Sequence, residues 1–135
     1  MNSMLFNGEC LHIMSTLPDG CVDMVFCDLP YGTTQNSWDS LIPFEPLWKE
    51  YRRVVKENGA IVLTAQSTFD KTLACSNLKD YRYEWIWEKN KATGHLNAKK
   101  MPMKAHENVL IFYRKLPTLS LIHISEPTRL LSIAY

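Results

Sequence analysis

The sequence has few cysteines, no long apolar run and no basic N-terminus, and each absence excludes a class of protein. Its four cysteines form no C-x-x-C pair, and the neighbours Cys10 and His12 have no later partner at a zinc-binding spacing. We therefore predict reduced, buried thiols and no metal site. No apolar stretch approaches the roughly 18 residues of a membrane span. The first residues do not resemble a secretory signal, so we predict a cytoplasmic protein without membrane contact.

The sequence instead alternates strand-like and helix-like patterns, which is typical of an α/β fold in one domain. Residues 22–28 and 60–65 are nearly continuous apolar runs, which suit strands buried on both faces of a parallel sheet. Residues 43–56 predict a helix with a solvated charged face, and Asn58-Gly59 is its stop signal. The other predicted elements are a short strand at 4–6, a helix at 9–17, a helix at 69–77 capped by Ser67 or Thr68, a strand at 81–89 with one aromatic face, and a strand at 106–113.

The first apolar run ends abruptly in Asp28-Leu29-Pro30-Tyr31-Gly32. Proline fixes its own φ and disfavours the helical region for the residue before it, so the chain after Asp28 should be stiff and extended. Open α/β sheets bind their ligands at the carboxyl ends of their strands. We therefore expect Asp28 and Tyr31 to project into one pocket. A strand end with a capping aspartate and a tight turn is the alternative for these four residues alone.

Asp28-Leu29-Pro30-Tyr31 resembles the D-P-P-Y motif of amino-group DNA methyltransferases, and the run from Asp28 to Asp39 is similar to phage and prophage members of that family. Leu29 stands where proline is commoner, and its role would be carried by its backbone carbonyl. The resemblance implies a Rossmann-like fold that transfers a methyl group from S-adenosylmethionine to an exocyclic amine in double-stranded DNA. Adenine N6 is favoured over cytosine N4, and no metal is needed.

The same resemblance implies roles for the motif residues. Asp28 and the Leu29 carbonyl would accept protons from the amine, Pro30 would stiffen the segment, and Tyr31 would offer a flat face to the flipped base. Asp28 would also contact the cofactor. Glu9 is a second candidate cofactor contact, because Gly8-Glu9-Cys10-Leu11 resembles the G-D-C-L opening of the family; a first-turn acid favoured by the helix dipole is an equal alternative.

Residues 89–104 contain five lysines and no carboxylate, although the net charge of the whole chain is only +1. We predict a mostly irregular segment that contacts DNA phosphates through these lysines, with an ordinary solvated loop as the alternative. The residues are Lys89, Lys91, Lys99, Lys100 and Lys104. The resemblance also brings Lys89, His106 and Glu107 towards the pocket, in positioning roles.

The sequence has no glycine-rich loop of the kind that lets backbone approach the methionine part of the cofactor. One permuted class of the family places that loop after the catalytic motif, so we expect an incomplete Rossmann-like fold with an exposed apolar sheet edge and little cofactor binding. Residues 119–129 resemble the translation of a sequencing-library transposase adapter. We therefore expect residues 1–118 to be the N-terminal part of the catalytic domain and residues 119–135 to be a non-native read-through tail.

Two other functions fit the same features. The first is a methyltransferase that acts on RNA or protein nitrogen through a similar motif. The second is a catalytically incompetent fragment that holds DNA through the lysine segment. The recognition sequence and the oligomeric state are left open by the sequence.

Overall fold

The computed structural model describes residues 4–32, 40–94 and 98–117; the predicted tail at 119–135 and the end of the motif region at 33–39 lie outside them. The described residues form one four-stranded sheet with the strand order β1-β2-β4-β3. Strands β1 and β2 are parallel, whereas β4 runs antiparallel to both β2 and β3. The elements in chain order are α1 (Cys10–Thr16), β1 (Val22–Asp28), α2 (Phe44–Val54), β2 (Val55–Ala65), α3 (Phe69–Ser76), β3 (Tyr81–Thr93) and β4 (Lys104–Phe112).

The predicted order of helices and strands is confirmed, with differences at several boundaries. Residues 4–6 do not form a strand, and the Leu5 side chain is almost fully exposed. Strand β2 begins directly after α2, so Asn58-Gly59 lies inside a strand and does not end the helix. The pairing of β1 with β2 is irregular at this point, and a Cβ atom on Gly59 would lie 2.6 Å from the Asp23 carbonyl oxygen. Glycine is therefore required where the two backbones approach each other.

The core lies between one face of the sheet and the three helices. Its fully buried apolar side chains come from α2, β2, α3 and β4, and the rings of Trp48 and Tyr81 pack against Phe112 at centroid distances of 4.8 and 5.5 Å. Helix α1 adds partly buried side chains at its edge. None of the helices in the described ranges is long and apolar enough to cross a membrane. The largest fully buried apolar side chains are Phe112, Leu47, Leu63, Leu73, Leu110 and Val54.

Strand β1 is exposed on its second face, so the prediction that both of its faces are buried is wrong. Met24 and Phe26 are 56% and 46% exposed. The reason is that the described helices cover only one face of the sheet, and within the described residues β1 pairs with a neighbour, β2, on one side only. An exposed apolar strand edge of this kind favours association with other chains.

The charged side of α2 is not simply solvated, because Arg53 binds the end of α1. Its guanidinium donates hydrogen bonds to the Leu17 and Met14 carbonyl oxygens at 2.7 and 2.6 Å. The same group forms ion pairs with Asp19 and Glu50. Since the last carbonyls of a helix have no partner within the helix, Arg53 satisfies two carbonyl oxygens at this end of α1 and ties α1 to α2.

Candidate active site

The carboxyl ends of the parallel strands β1 and β2 bring the predicted motif beside a residue of the neighbouring strand. Asp28 is the last residue of β1, and its partner in the register is Thr64 on β2. The next residue, Leu29, turns its side chain into the core, where it is 5% exposed. Burial of Leu29 anchors the motif, so that Asp28 and Tyr31 stay at the end of the sheet.

The Asp28 carboxylate accepts two hydrogen bonds on the same oxygen atom. The Tyr31 hydroxyl donates to Oδ1 at 2.7 Å, and the Thr64 hydroxyl donates to the same Oδ1 at 2.6 Å. Among residues 4–32, 40–94 and 98–117, no donor contacts Oδ2. The structure therefore brings Asp28 and Tyr31 together as expected, and within these ranges it leaves the second carboxylate oxygen available to a ligand.

Tyr31 is half-buried, and its ring lies 5.0 Å from that of Phe69, tilted by 37°. Burial raises the pKa of Tyr31 well above its ordinary value, and the hydrogen bond to Asp28 raises it further. The phenol therefore remains protonated at any physiological pH and acts as a donor to Asp28. Its predicted role as a stacking surface for a base is not tested by this geometry and stays a prediction.

A second polar group lies beside Asp28, on β4 and the end of β2. Glu107 is buried; it accepts a hydrogen bond from the Gln66 side chain at 2.5 Å and forms an ion pair with Lys89. The negative charge of Glu107 is also among the causes that raise the pKa of Tyr31, so the two groups are electrostatic neighbours. The structure therefore brings Lys89 and Glu107 together near Tyr31, and their positioning roles stay predictions. His106 is exposed and lines the neighbouring cavity.

A cavity of about 240 Å³ opens next to this group. Its floor contains the buried Asp70, which accepts a hydrogen bond from the Asn108 side chain at 2.7 Å and pairs with Lys71. Burial acts to raise the pKa of Asp70, but the hydrogen bonds from Lys71 and Asn108 outweigh it, and the pKa lies below its ordinary value. The cavity is lined by Ala65, Gln66, Ser67, Asp70, Lys71, Lys104, His106, Glu107 and Asn108.

Glu9, the second candidate cofactor contact, is the N-cap of α1. Its two carboxylate oxygens accept hydrogen bonds from the backbone N–H groups of Leu11 and His12 at 3.0 and 2.8 Å. These bonds lower the pKa of Glu9 below its ordinary value of 4.5. The contacts are those of an acid at a helix N-terminus, and a cofactor contact for Glu9 stays a prediction.

The capping carboxylate makes the stability of the chain depend on pH. Because the pKa of Glu9 is lower in the folded state, its contribution is present above pH 4.5 and is lost as the pH falls through the folded pKa. We expect the wild type to melt at a higher temperature than Glu9→Gln at neutral pH, and the two melting temperatures to converge as the pH falls through the lowered folded pKa of Glu9. Circular dichroism melts across this range measure the difference. A difference that did not change with pH would contradict the capping role.

The predicted DNA-contacting lysines are divided between paired and exposed positions. Lys89 is paired with Glu107, and the Lys104 ammonium donates to the Ser67 carbonyl oxygen at 2.8 Å. Lys91, Lys99 and Lys100 are exposed. The segment is also less irregular than predicted, because residues 89–93 extend β3 and Lys104 begins β4. Within the segment the two strands pair at Thr93 and Lys104, so part of the expected loop is strand.

The cysteines do not form a site in the structure. All four are free, and the described residues contain no group of three metal-ligating side chains. Cys10 and Cys27 are partly buried, and burial raises the pKa of both thiols. Cys21 and Cys75 are exposed, so the prediction of buried thiols is wrong for these two. Likewise, Thr68 is the N-cap of α3 but makes no capping hydrogen bond through its side chain.

Thr64 is the site residue that the sequence did not identify. It is a polar residue near the end of an apolar strand, and its hydroxyl is buried beside Asp28. The one signal in the sequence was the position of Thr64 near the end of the apolar run at 60–65. Aligning the carboxyl ends of the two predicted strands brings Thr64 close to Asp28. Gln66 directly follows the predicted strand at 60–65, and its side chain donates a hydrogen bond to Glu107.

The fold is part of an S-adenosylmethionine-dependent methyltransferase fold, as comparison with solved structures shows. The PvuII DNA methyltransferase (cytosine-N4-specific) aligns with a TM-score of 0.69 and 13% identity over 87% of this chain and 51% of its own. TTHA0409 of Thermus thermophilus, provisionally assigned as a DNA modification methylase and solved with S-adenosyl-L-methionine, gives 0.59 and 17% over 90% and 57%. The M1.HpyAVI–SAM complex gives 0.51 and 18% over 77% and 48%.

These similarities concern the fold, because all three identities are low. The chain spans about half the length of the solved structures that it matches. No family model matches the sequence, and none of the curated proteins matches it. The expected fold class, an incomplete Rossmann-like methyltransferase fold, is confirmed.

Proposed function

We propose that this chain carries the acceptor site of a DNA methyltransferase that modifies an exocyclic amine, with adenine N6 favoured over cytosine N4. The observation that carries the proposal is the Asp28 carboxylate at the end of β1, held through one oxygen by Tyr31 and Thr64. The motif resemblance and the methyltransferase fold support it. The motif and the basic segment fall within residues 1–118, which we propose as the N-terminal part of the catalytic domain.

The acceptor chemistry follows from the geometry of Asp28. An exocyclic amine on a base is a weak nucleophile, because its lone pair is delocalised into the ring. Asp28 Oδ2 and the Leu29 carbonyl oxygen accept the two N–H protons of the amine, which localises the lone pair on nitrogen. Asp28 would then hold the proton that the nitrogen loses when a donor supplies the methyl group by breaking its own carbon–sulfur bond. Tyr31 offers its ring to the base that has left the duplex stack.

S-adenosylmethionine is the methyl donor that the fold and the motif imply. Within the described residues the fit to this cofactor is incomplete. Both oxygens of Glu9 are occupied in capping α1, and the sequence has no glycine-rich loop. Asp28 remains the residue that we propose to contact both the cofactor and the amine of the base. The residues of this chain thus account for binding of the amine that accepts the methyl group, and not for binding of the methyl donor.

The decisive measurement uses a full-length protein that carries this segment. Incubated with S-adenosylmethionine and duplex DNA of mixed sequence, it should produce N6-methyladenine, detected by mass spectrometry of the digested DNA. Detection of N4-methylcytosine instead would change the predicted target base, but it would keep the predicted class of enzyme. Methylation of RNA or protein without any of DNA would overturn the proposal. Residues 1–135 alone should show no turnover, and they should bind the cofactor weakly or not at all in isothermal titration; micromolar binding would mean that the donor site has been misplaced.

A further inference from the structure

Strand β3 carries three large aromatic side chains that the acceptor chemistry does not use. Tyr83, Trp85 and Trp87 occupy alternate positions of the strand and are 40%, 53% and 43% exposed. Aromatic side chains of this size are normally well buried, and a contiguous exposed apolar patch marks an interaction site. We call these three residues the aromatic row.

The rings of the aromatic row keep accessible surface. Tyr83 and Trp85 have centroids 5.8 Å apart and ring planes tilted by 45°, so they do not stack face to face. Alternate residues of a strand are about 6.6 Å apart along its axis, which spaces the rings as separate platforms. Planar ligands with several successive rings fit such a row, and nucleobases are the commonest of these.

The charges beside the aromatic row are divided between the two faces of β3. Alternation along β3 as far as Glu88 places Glu84 and Glu88 on the face opposite to the aromatic row, while Lys89 lies beside Trp87 and is paired with Glu107. The Lys89 ammonium lies 5.5 Å from the centre of the Trp87 ring, where it stabilises the ring electrostatically. Lys91 is exposed and lies two residues further along β3. The strand therefore presents rings with lysines beside them, which complements bases and phosphates.

The aromatic row and Asp28 lie on the same face of the sheet. The register aligns Asp28 with Thr64, Thr64 with Val109, and Val109 with Trp85, in one row across all four strands. Three strand spacings separate Asp28 from Trp85, which corresponds to about 14 Å. A polymer that spans this distance from Asp28 also reaches Trp85.

We propose that the aromatic row and Lys91 bind an unpaired nucleic-acid strand, whose bases stack on the rings while Lys91 contacts a phosphate. An enzyme that works on a base taken out of the duplex leaves neighbouring nucleotides partly unstacked, and the row provides surfaces for them. The inference rests on the proposed function for the identity of the polymer as DNA. A second copy of the chain is the competing occupant, and the exposed Lys91, Lys99 and Lys100, in a segment whose sequence contains no carboxylate, favour the nucleic acid over it.

The test measures binding of a fluorescein-labelled oligothymidylate to residues 1–135 by anisotropy, in the absence of any methyl donor. Trp85→Ala should weaken the affinity by about 5- to 150-fold, whereas Trp85→Phe should keep most of it, because the stacking face is retained. Lys91→Ala should reduce the slope of log affinity against log salt by about 0.7. Ile86→Ala is the matched control, since Ile86 is 69% exposed on the opposite face of the same strand.

Three outcomes would overturn the inference. Absence of oligothymidylate binding by the wild type is the first, and equal affinities for Trp85→Ala and Ile86→Ala are the second. The third is self-association of the wild type in sedimentation velocity that Trp85→Ala abolishes while oligonucleotide binding persists, because the row would then be a protein interface. All three readouts are independent of methyl transfer, so failure here is distinguishable from failure of the proposed function. Circular dichroism verifies that each variant is folded.

Discussion

Asp28→Ala should lower methyl transfer by about 10²- to 10⁴-fold in a full-length protein that carries this segment. The alanine variant loses the acceptor for the amine proton, and the Tyr31 and Thr64 hydroxyls lose their shared partner. DNA affinity should change little, because Asp28 acts on the reacting nitrogen in the transition state and not on the duplex. Incorporation of radiolabelled methyl groups measures the rate, and a filter-binding assay measures the affinity.

The matched control is Asp23→Ala on the same strand. Asp23 is also an exposed carboxylate of β1, and it pairs with Lys56 at the opposite end of the strand from the site. A surface pair of this kind contributes little to stability, so Asp23→Ala should keep nearly full activity. Equal rates for the Asp28 variant and the wild type would remove Asp28 from the chemistry, and equal losses in both variants would indicate a general effect of charge on β1.

Phe112→Ala should cost about 3–5 kcal/mol of the free energy of unfolding. Phe112 is fully buried and packs against Trp48 and Tyr81, so the substitution leaves a cavity at the centre of the core. Urea unfolding followed by circular dichroism measures the loss. Leu78→Ala, at a side chain that is 66% exposed, should change the same quantity by less than about 0.5 kcal/mol.

A loss that large consumes much of the stability of a small domain, so Phe112→Ala is expected to fold incompletely. Phe112→Leu then provides the measurable variant, because it keeps an apolar side chain, removes less volume than alanine does and should cost less. A Phe112→Ala variant with the stability of Leu78→Ala would mean that the core does not have Phe112 at its centre.

Local patterns in the sequence predicted the elements and the meeting of Asp28 with Tyr31. Both residues belong to one stiff segment, so a few consecutive residues determine their geometry. The hydrogen bond from Thr64 depends on the register between two strands, with 36 residues separating the partners in sequence. The sequence offered only an approximate alignment of the two strand ends for this register. The residues that Arg53 contacts at the end of α1 are equally distant from it in sequence. Because of these contacts, Arg53 links α1 to α2, although it was expected to lie in solvent.

The exposure of β1 shows a different limit of sequence patterns. An apolar run indicates that a strand is more stable when both of its faces are buried, but it does not show whether the chain has helices that pack on each face. Met24 and Phe26 fit a buried strand by composition, yet the described helices pack only on the other face of the sheet. The aromatic face of β3 was predicted correctly as a face, while its exposure followed only from the packing of the whole sheet.

The two hydrogen bonds on Asp28 Oδ1 also have an entropic consequence. A carboxylate with no partners rotates about its last side-chain bond, and ordering such a side chain on binding costs about 0.5–1.5 kcal/mol. Donors from two directions restrict that rotation in the free protein, so the ordering takes place during folding and not when the base arrives. The substrate therefore meets a carboxylate that is already oriented, and more of its interaction energy remains for lowering the barrier to reaction.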